Sequence, residues 1–170
     1  MANDLLRTVR SVGMPILPKL KDYLDHHQFK YEVITHPRAT SAQEVAETQR
    51  IPGKQMAKVV IVKKANGTPI MLVLPASHKV NFDKLRRILG MAAELEPANE
   101  FRALFPGCET GAEPPFGLLF GVDMIVDTAL TEDKEIVFNA GSHWQTVKMR
   151  YEDYARLVKA RVATFAEHLS

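Results

Sequence analysis

The sequence predicts a single α+β domain with a central mixed, partly barrel-like β-sheet flanked by helices. Three observations carry this expectation. Short β-branched and apolar runs recur at 56–64, 69–75, 124–127, 135–139 and 146–149. Amphipathic segments with their own cap residues alternate with these runs. No repeat, low-complexity tract or long linker divides the 170 residues, a length that suits one core.

Taken in order, Leu17, Leu20 and Leu24 recur at helical spacing and predict a short amphipathic helix over 16–27. It belongs to an N-terminal helical extension, 1–29, ahead of a main domain over 30–170. Tyr31-Glu32-Val33-Ile34 reads as a strand. Ser41-Ala42-Gln43-Glu44 has the capping-box pattern, so a helix starts there and runs to about Arg50, where Ile51-Pro52-Gly53 ends it. MAKVVIVKK (56–64) and PIMLVLP (69–75) are joined through Asn66-Gly67, which predicts an antiparallel hairpin at the sheet centre, both turn residues tolerating positive φ.

Asn81 suits the cap of a helix carrying Phe82, Leu85, Ile88 and Leu89, with Gly90 closing it in the left-handed region. A short strand is expected over 92–96, and Pro97 fits the first turn of a helix bearing Phe101, Leu104 and Phe105. The stretch PGCETGAEPPFG, 106–117, holds three glycines and three prolines and predicts a constrained loop without regular structure. Beyond the last strands, Tyr154, Leu157, Val158 and Val162 predict a C-terminal helix over 151–169.

Composition narrows the function. No apolar run reaches the length of a membrane span, and the first fourteen residues lack a secretory signal. A cytoplasmic protein is expected. A single cysteine, Cys108, excludes an internal disulfide. The formal charge of +2 is too mild for wrapping nucleic acid, although cations concentrate at 54–64 and 78–87. The six histidines show no metal-ligand spacing, and phosphate-loop, dinucleotide and GxSxG motifs are absent. Neither a metal nor a cofactor is expected.

Three polar interruptions stand out. Lys58 is set inside MAKVVIV; alternation puts it with Val60 and Val62 on one face and Ala57, Val59 and Ile61 on the other. A buried ammonium needs a wet cleft or an anion, so Lys58 either snorkels from an edge strand or faces a cleft. In the loop Gly111 to Pro115, glycine admits close approach and proline fixes the backbone, which serves a ligand or a rigid connector equally well. Gly141-Ser142-His143 lies between two strands, where amides and an imidazole face a ligand or simply solvent.

Taken together and in order, QMAKVV (55–60), the Gly-x-x-x-Pro loop and Gly141-Ser142-His143 resemble the YbaK/ProX family of aminoacyl-tRNA editing domains. His36-Pro37 with Thr40-Ser41-Ala42 supports the likeness, which spans about 31–157. It implies a trans-acting deacylase that hydrolyses the ester of a mischarged tRNA, with alanine on tRNA(Pro) as first expectation and a tRNA acceptor end, with or without a synthetase, as partner. Lys58 inherits contact with the terminal adenosine or its phosphate, and Gly111 and His143 complete the catalytic set. Thr40, Ser41, Ala112, Pro115, Phe116, Gly141 and Ser142 are the implied substrate-binding residues. The resemblance also implies a reaction without a protein nucleophile, in which the substrate's ribose hydroxyl positions water. Physically, amides of the Gly111 and Gly141 segments then serve as oxyanion donors. Two alternatives are a non-catalytic module binding aminoacylated ends or a synthetase, and a thiol enzyme using Cys108.

Overall fold

The computed structural model describes residues 16–39, 41–48 and 51–169. Helix α1 (Pro18–His26) opens with proline at its first turn and buries Leu20 and Leu24 completely. Strand β1 (Tyr31–Thr35) and helix α2 (Ala42–Thr48) follow, and Ser41 Oγ accepts the Glu44 amide at 3.0 Å, as the capping pattern predicts. Strands β2 (Met56–Lys64) and β3 (Pro69–Pro75) form the expected antiparallel hairpin. Of its two turn residues, Gly67 alone takes positive φ, at 89°; Asn66 instead uses its Oδ1 to accept the Thr68 amide.

Strand β4 (His78–Val80) leads to helix α3 (Phe82–Leu89), capped by Asn81 Oδ1 on the Lys84 amide and closed by Gly90 at φ 73°. Strand β5 (Ala93–Leu95) and a single helical turn, α4 (Ala98–Phe101), precede the long loop. Pro97 stands at the cap of that turn rather than inside it. The chain then forms β6 (Asp123–Asp127), β7 (Glu135–Asn139), β8 (Gln145–Arg150), helix α5 (Tyr151–Val158), β9 (Arg161–Ala163) and β10 (Ala166–His168).

The C-terminal helix predicted to 169 is therefore corrected: it stops at Val158, where Lys159 turns to φ 46°. Tertiary contacts outweigh the helical spacing here. The buried Asp127 carboxylate accepts both the Phe165 and Ala166 amides at 2.9 Å, and Phe165 is fully buried. Val162 lies on the edge strand, 48% exposed.

Strand order is β1-β8-β7-β2-β3-β6-β9, with β5 also on β2; β4 and β10 make a separate pair. The sheet is mixed: β2–β7, β3–β6 and β6–β9 are parallel and the other pairs antiparallel. One face carries Ala57, Ile61, Met71, Val73, Phe138 and Val147 against α1 and α5. On the other, Val62, Leu72 and Leu74 pack with Leu85 of α3, while Met56, Ala76 and Val137 pack with Val45 and Ala46 of α2. The period-two alternation of β2 holds throughout.

One detail of the pairing positions the site. The β2–β7 ladder covers only Met56–Val137 and Ala57–Phe138, and β2 next pairs on that side with β5, from Val62. Two parallel strands thus part immediately after Ala57 and Phe138, making a fork in the sheet.

Candidate active site

Lys58 and Asn139 are the first residues past the parting, one on each arm of the fork. Lys58 lies opposite Leu74 and shares the face of Met56, Val60 and Val62, as alternation predicts. It is half-buried, and burial pushes its ammonium below the usual 10.5. Among the described residues no carboxylate pairs with it. Asn139 is buried, and its Oδ1 lacks a hydrogen-bond partner. On the same face an open groove of about 520 Å³ runs past Gln55, Val137 and His36, whose buried Nε2 is also without a partner.

The other predicted residues form a separate, tightly bonded unit. Glu109 N–H donates to the Gly141 carbonyl at 2.8 Å, Gly141 N–H to Ala112 at 2.9 Å and Ala112 N–H to Glu109 at 3.0 Å. His143 is 5% exposed; its Nε2 lies 2.9 Å from the Thr110 carbonyl and therefore carries the proton. Nδ1 is then an acceptor, buried and without a partner. Gly111, at φ 91°, lets the imidazole approach to 3.4 Å of where a Cβ would stand, and Gly141, at φ 103°, makes room for Leu17.

This arrangement corrects the oxyanion expectation. The Gly111 amide donates to both Glu113 carboxylate oxygens at 3.0 Å, and those of Ala112 and Gly141 are spent on carbonyls. Three donors assigned to the reaction are instead holding the loop. Burial raises the Glu113 carboxyl, with the Gly111 amide, its own amide and His143 opposing that rise.

Two acids and a base that sequence reasoning passed over hold the unit in place. Burial pushes the Glu109 carboxyl up, but bonds from Arg38 at 2.9 Å and from the His143 amide at 3.1 Å outweigh it and leave it lowered. The sequence shows that Glu109 and Glu113 flank Gly111, but only the structure shows the positive-φ amide of Gly111 that takes Glu113 as its acceptor.

The remaining positions are supporting. Ala112, Pro115 and Phe116 are buried. Phe116 meets Phe138 and Tyr154 edge to face, and Tyr154 Oη donates to the Pro115 carbonyl at 2.7 Å. Ser142 Oγ accepts the Trp144 amide at 3.3 Å, and Ser41 caps α2. Thr40 lies outside the described residues. The β7–β8 turn bridges the two layers: His143 O accepts the Ala39 amide from the α2 side, and Ala140 O that of Leu17 from the α1 side. Lys58 follows Ala57 as Asn139 follows its partner Phe138, and Asn139 stands two residues before Gly141.

Other chemistries fit poorly. Cys108 is partly buried, and burial, with Glu113 nearby, pushes its thiol up to about 12, so thiolate is scarce near neutrality. Among the described residues no group of three or more His, Cys, Asp or Glu is placed to hold a metal, and no helix is long and apolar enough to cross a membrane.

Residues 36–157 match the family model of the aminoacyl-tRNA editing domain. The chain belongs to that family. It is 30% identical over 140 residues to the multifunctional Ser/Thr-tRNA deacylase ProXp-y of Escherichia coli K12, covering 79% of this chain and 83% of the relative. It is also 30% identical over 112 residues to the proline–tRNA ligase of Geobacter sulfurreducens, covering 65% of this chain and 19% of the ligase. Among solved structures, hypothetical protein APE2540 superposes with a TM-score of 0.80 at 20% identity, over 88% of this chain and 99% of that one. A candidate trans-editing enzyme for prolyl-tRNA synthetase does so at 0.76 and 20%, over 88% and 95%. These two likenesses establish the editing-domain fold.

Proposed function

We propose that this editing domain acts in trans as an aminoacyl-tRNA deacylase, with Lys58 holding the phosphate of the terminal nucleotide. The observation that carries this is a half-buried ammonium without a carboxylate partner among the described residues, on one arm of a fork in the sheet whose other arm begins with Asn139, its Oδ1 unpartnered. Such a charge is compensated by an anion from outside the fold.

Water adds to the ester carbonyl carbon, the bond to the ribose oxygen breaks, and that oxygen leaves with a proton as free hydroxyl. No described side chain is set up as a nucleophile, so the neighbouring ribose hydroxyl orients the water, as the family resemblance implies. His143 Nδ1 is a buried acceptor suited to holding that water or the substrate, while Gly111, Ala112, Gly141, Pro115 and Phe116 fix the pocket wall. Ser41 and Ser142 border the substrate in this reading.

For the amino acid, hydroxylated side chains suit the site better than alanine. His143 Nδ1 and both amide atoms of Gln145, which is 1% exposed, are buried and unpartnered around the β7–β8 turn. A seryl or threonyl hydroxyl would bond there, and alanine on tRNA(Pro), the first expectation, would leave those groups unfilled. The relative named as a Ser/Thr-tRNA deacylase supports this choice.

Single-turnover hydrolysis of Ser-, Thr- and Ala-charged tRNAs tests it. Release of serine or threonine at least about tenfold faster than alanine is expected, one hydroxyl bond being worth about 1.5 kcal/mol. Faster release of alanine refutes the hydroxyl assignment, and an ester left intact throughout makes the chain a binding module.

A further inference from the structure

Far from Lys58 on the same strand, five cations gather around the C-terminal end of α3. Lys64 ends β2, Arg86 and Arg87 occupy the last turn of α3, Lys159 caps α5 and Arg161 begins β9. Their side chains come from four elements widely separated in sequence. Lys64, Lys159 and Arg161 line an open groove of about 620 Å³ with Leu89, Leu118 and Ile125, and Asp123 is the one acid among its described lining residues. Arg161 Nη2 reaches the Ile88 carbonyl at 3.4 Å, which joins the groove to the α3 terminus.

Arginines in the last turn have an ordinary use in offsetting the helix dipole. That accounts for Arg86 and Arg87 but not for Lys64, Lys159 and Arg161. Among the described residues, none of the five makes an ion pair, whereas Lys63, next to Lys64 in sequence, pairs with Glu100. A chain of net charge only +2 has therefore left a set of unneutralised cations in one place.

Lys58 and Lys64 share one face of β2, six residues apart, or about 20 Å along the strand. We propose that this groove holds the phosphate backbone of the tRNA acceptor stem while Lys58 holds the 3′ end. The inference rests on the deacylase reading for where the 3′ end lies. The lining contributes cations and apolar surface with few acceptors, so it reads phosphate and shape rather than base sequence. The unpaired 3′ end of the tRNA spans the distance between groove and fork.

The test compares full-length wild type with Lys64→Gln/Lys159→Gln/Arg161→Gln and, as a control, Lys30→Gln/Lys134→Gln, two exposed lysines elsewhere. Affinity for uncharged tRNA is measured against salt, and hydrolysis is measured on a short aminoacyl oligonucleotide ending in CCA. In the triple variant tRNA affinity falls on the order of tenfold or more and the log–log salt slope shallows by about two to three. Its hydrolysis of the short ester stays at the wild-type rate.

Unchanged tRNA affinity and slope overturn the proposal and leave the groove to an acidic protein surface. An equal loss in the control, or loss of short-ester hydrolysis together with tRNA affinity, overturns it as well. If wild type fails to cleave the short ester, the deacylase reading fails, and the binding measurements alone still decide whether the groove holds tRNA.

Discussion

Lys58 shows how one side chain's surroundings become a measurable property. Burial lowers its pKa, so its positive charge is lost on titrating upward before the ordinary 10.5 is reached. The unfolded chain still holds that proton between the lowered value and 10.5, so in this window the fold gains stability as pH rises while the anion site loses its charge. Binding of a CCA oligonucleotide, followed by fluorescence of Trp144, the single tryptophan, should weaken through that window. Lys58→Arg should remove the alkaline fall, and an unaltered fall in the arginine variant would assign it to another group. Lys58 was legible in the sequence because a charge inside MAKVVIV contradicts its neighbours. Glu109 and Glu113 were not, because an acid in a Gly/Pro-rich loop contradicts nothing until the Gly111 amide is seen to need an acceptor.

At the scale of elements, the 106–117 loop is rigid because bonds at several points hold it. Tyr154, fully buried on α5, anchors its end by donating to the Pro115 carbonyl. Tyr154→Phe keeps the aromatic packing and leaves that carbonyl unpaired, which should cost about 1–3 kcal/mol in denaturant unfolding. The same variant should lower kcat for the ester more than it raises KM; unchanged stability and kcat would show that the anchor is dispensable. Caps and hairpins were readable here because Ser41, Asn81, Gly90 and the 66–67 turn act on neighbours within a few residues. The end of α5 and strands β9 and β10 were not readable. Arg161–Ala163 is a strand because β6 lies beside it, and Asp127, nearly forty residues away, fixes the next segment.

At the scale of the whole molecule, the site depends on where two parallel strands separate. The strands β2 and β7 were each evident from their β-branched runs, but nothing local says that they pair for two residues and then part. That is a property of the sheet order, which sets Lys58 and Asn139 at the fork and the His143 turn just beyond it. The α+β class with one central mixed sheet flanked by helices was legible, and its strand path runs from β1 to β9. The family resemblance linked the three polar interruptions, and the structure separates their work: a charged fork on one side, a self-bonded loop and histidine on the other.

The most direct test is single-turnover hydrolysis of a mischarged tRNA by wild type, Lys58→Ala and Lys58→Arg. Wild type should release free amino acid, and Lys58→Ala should lose about ten- to a hundredfold in kcat/KM, the worth of one charge-assisted hydrogen bond. The arginine variant should recover part of that loss. A Lys58→Ala protein with undiminished affinity and turnover would contradict the account.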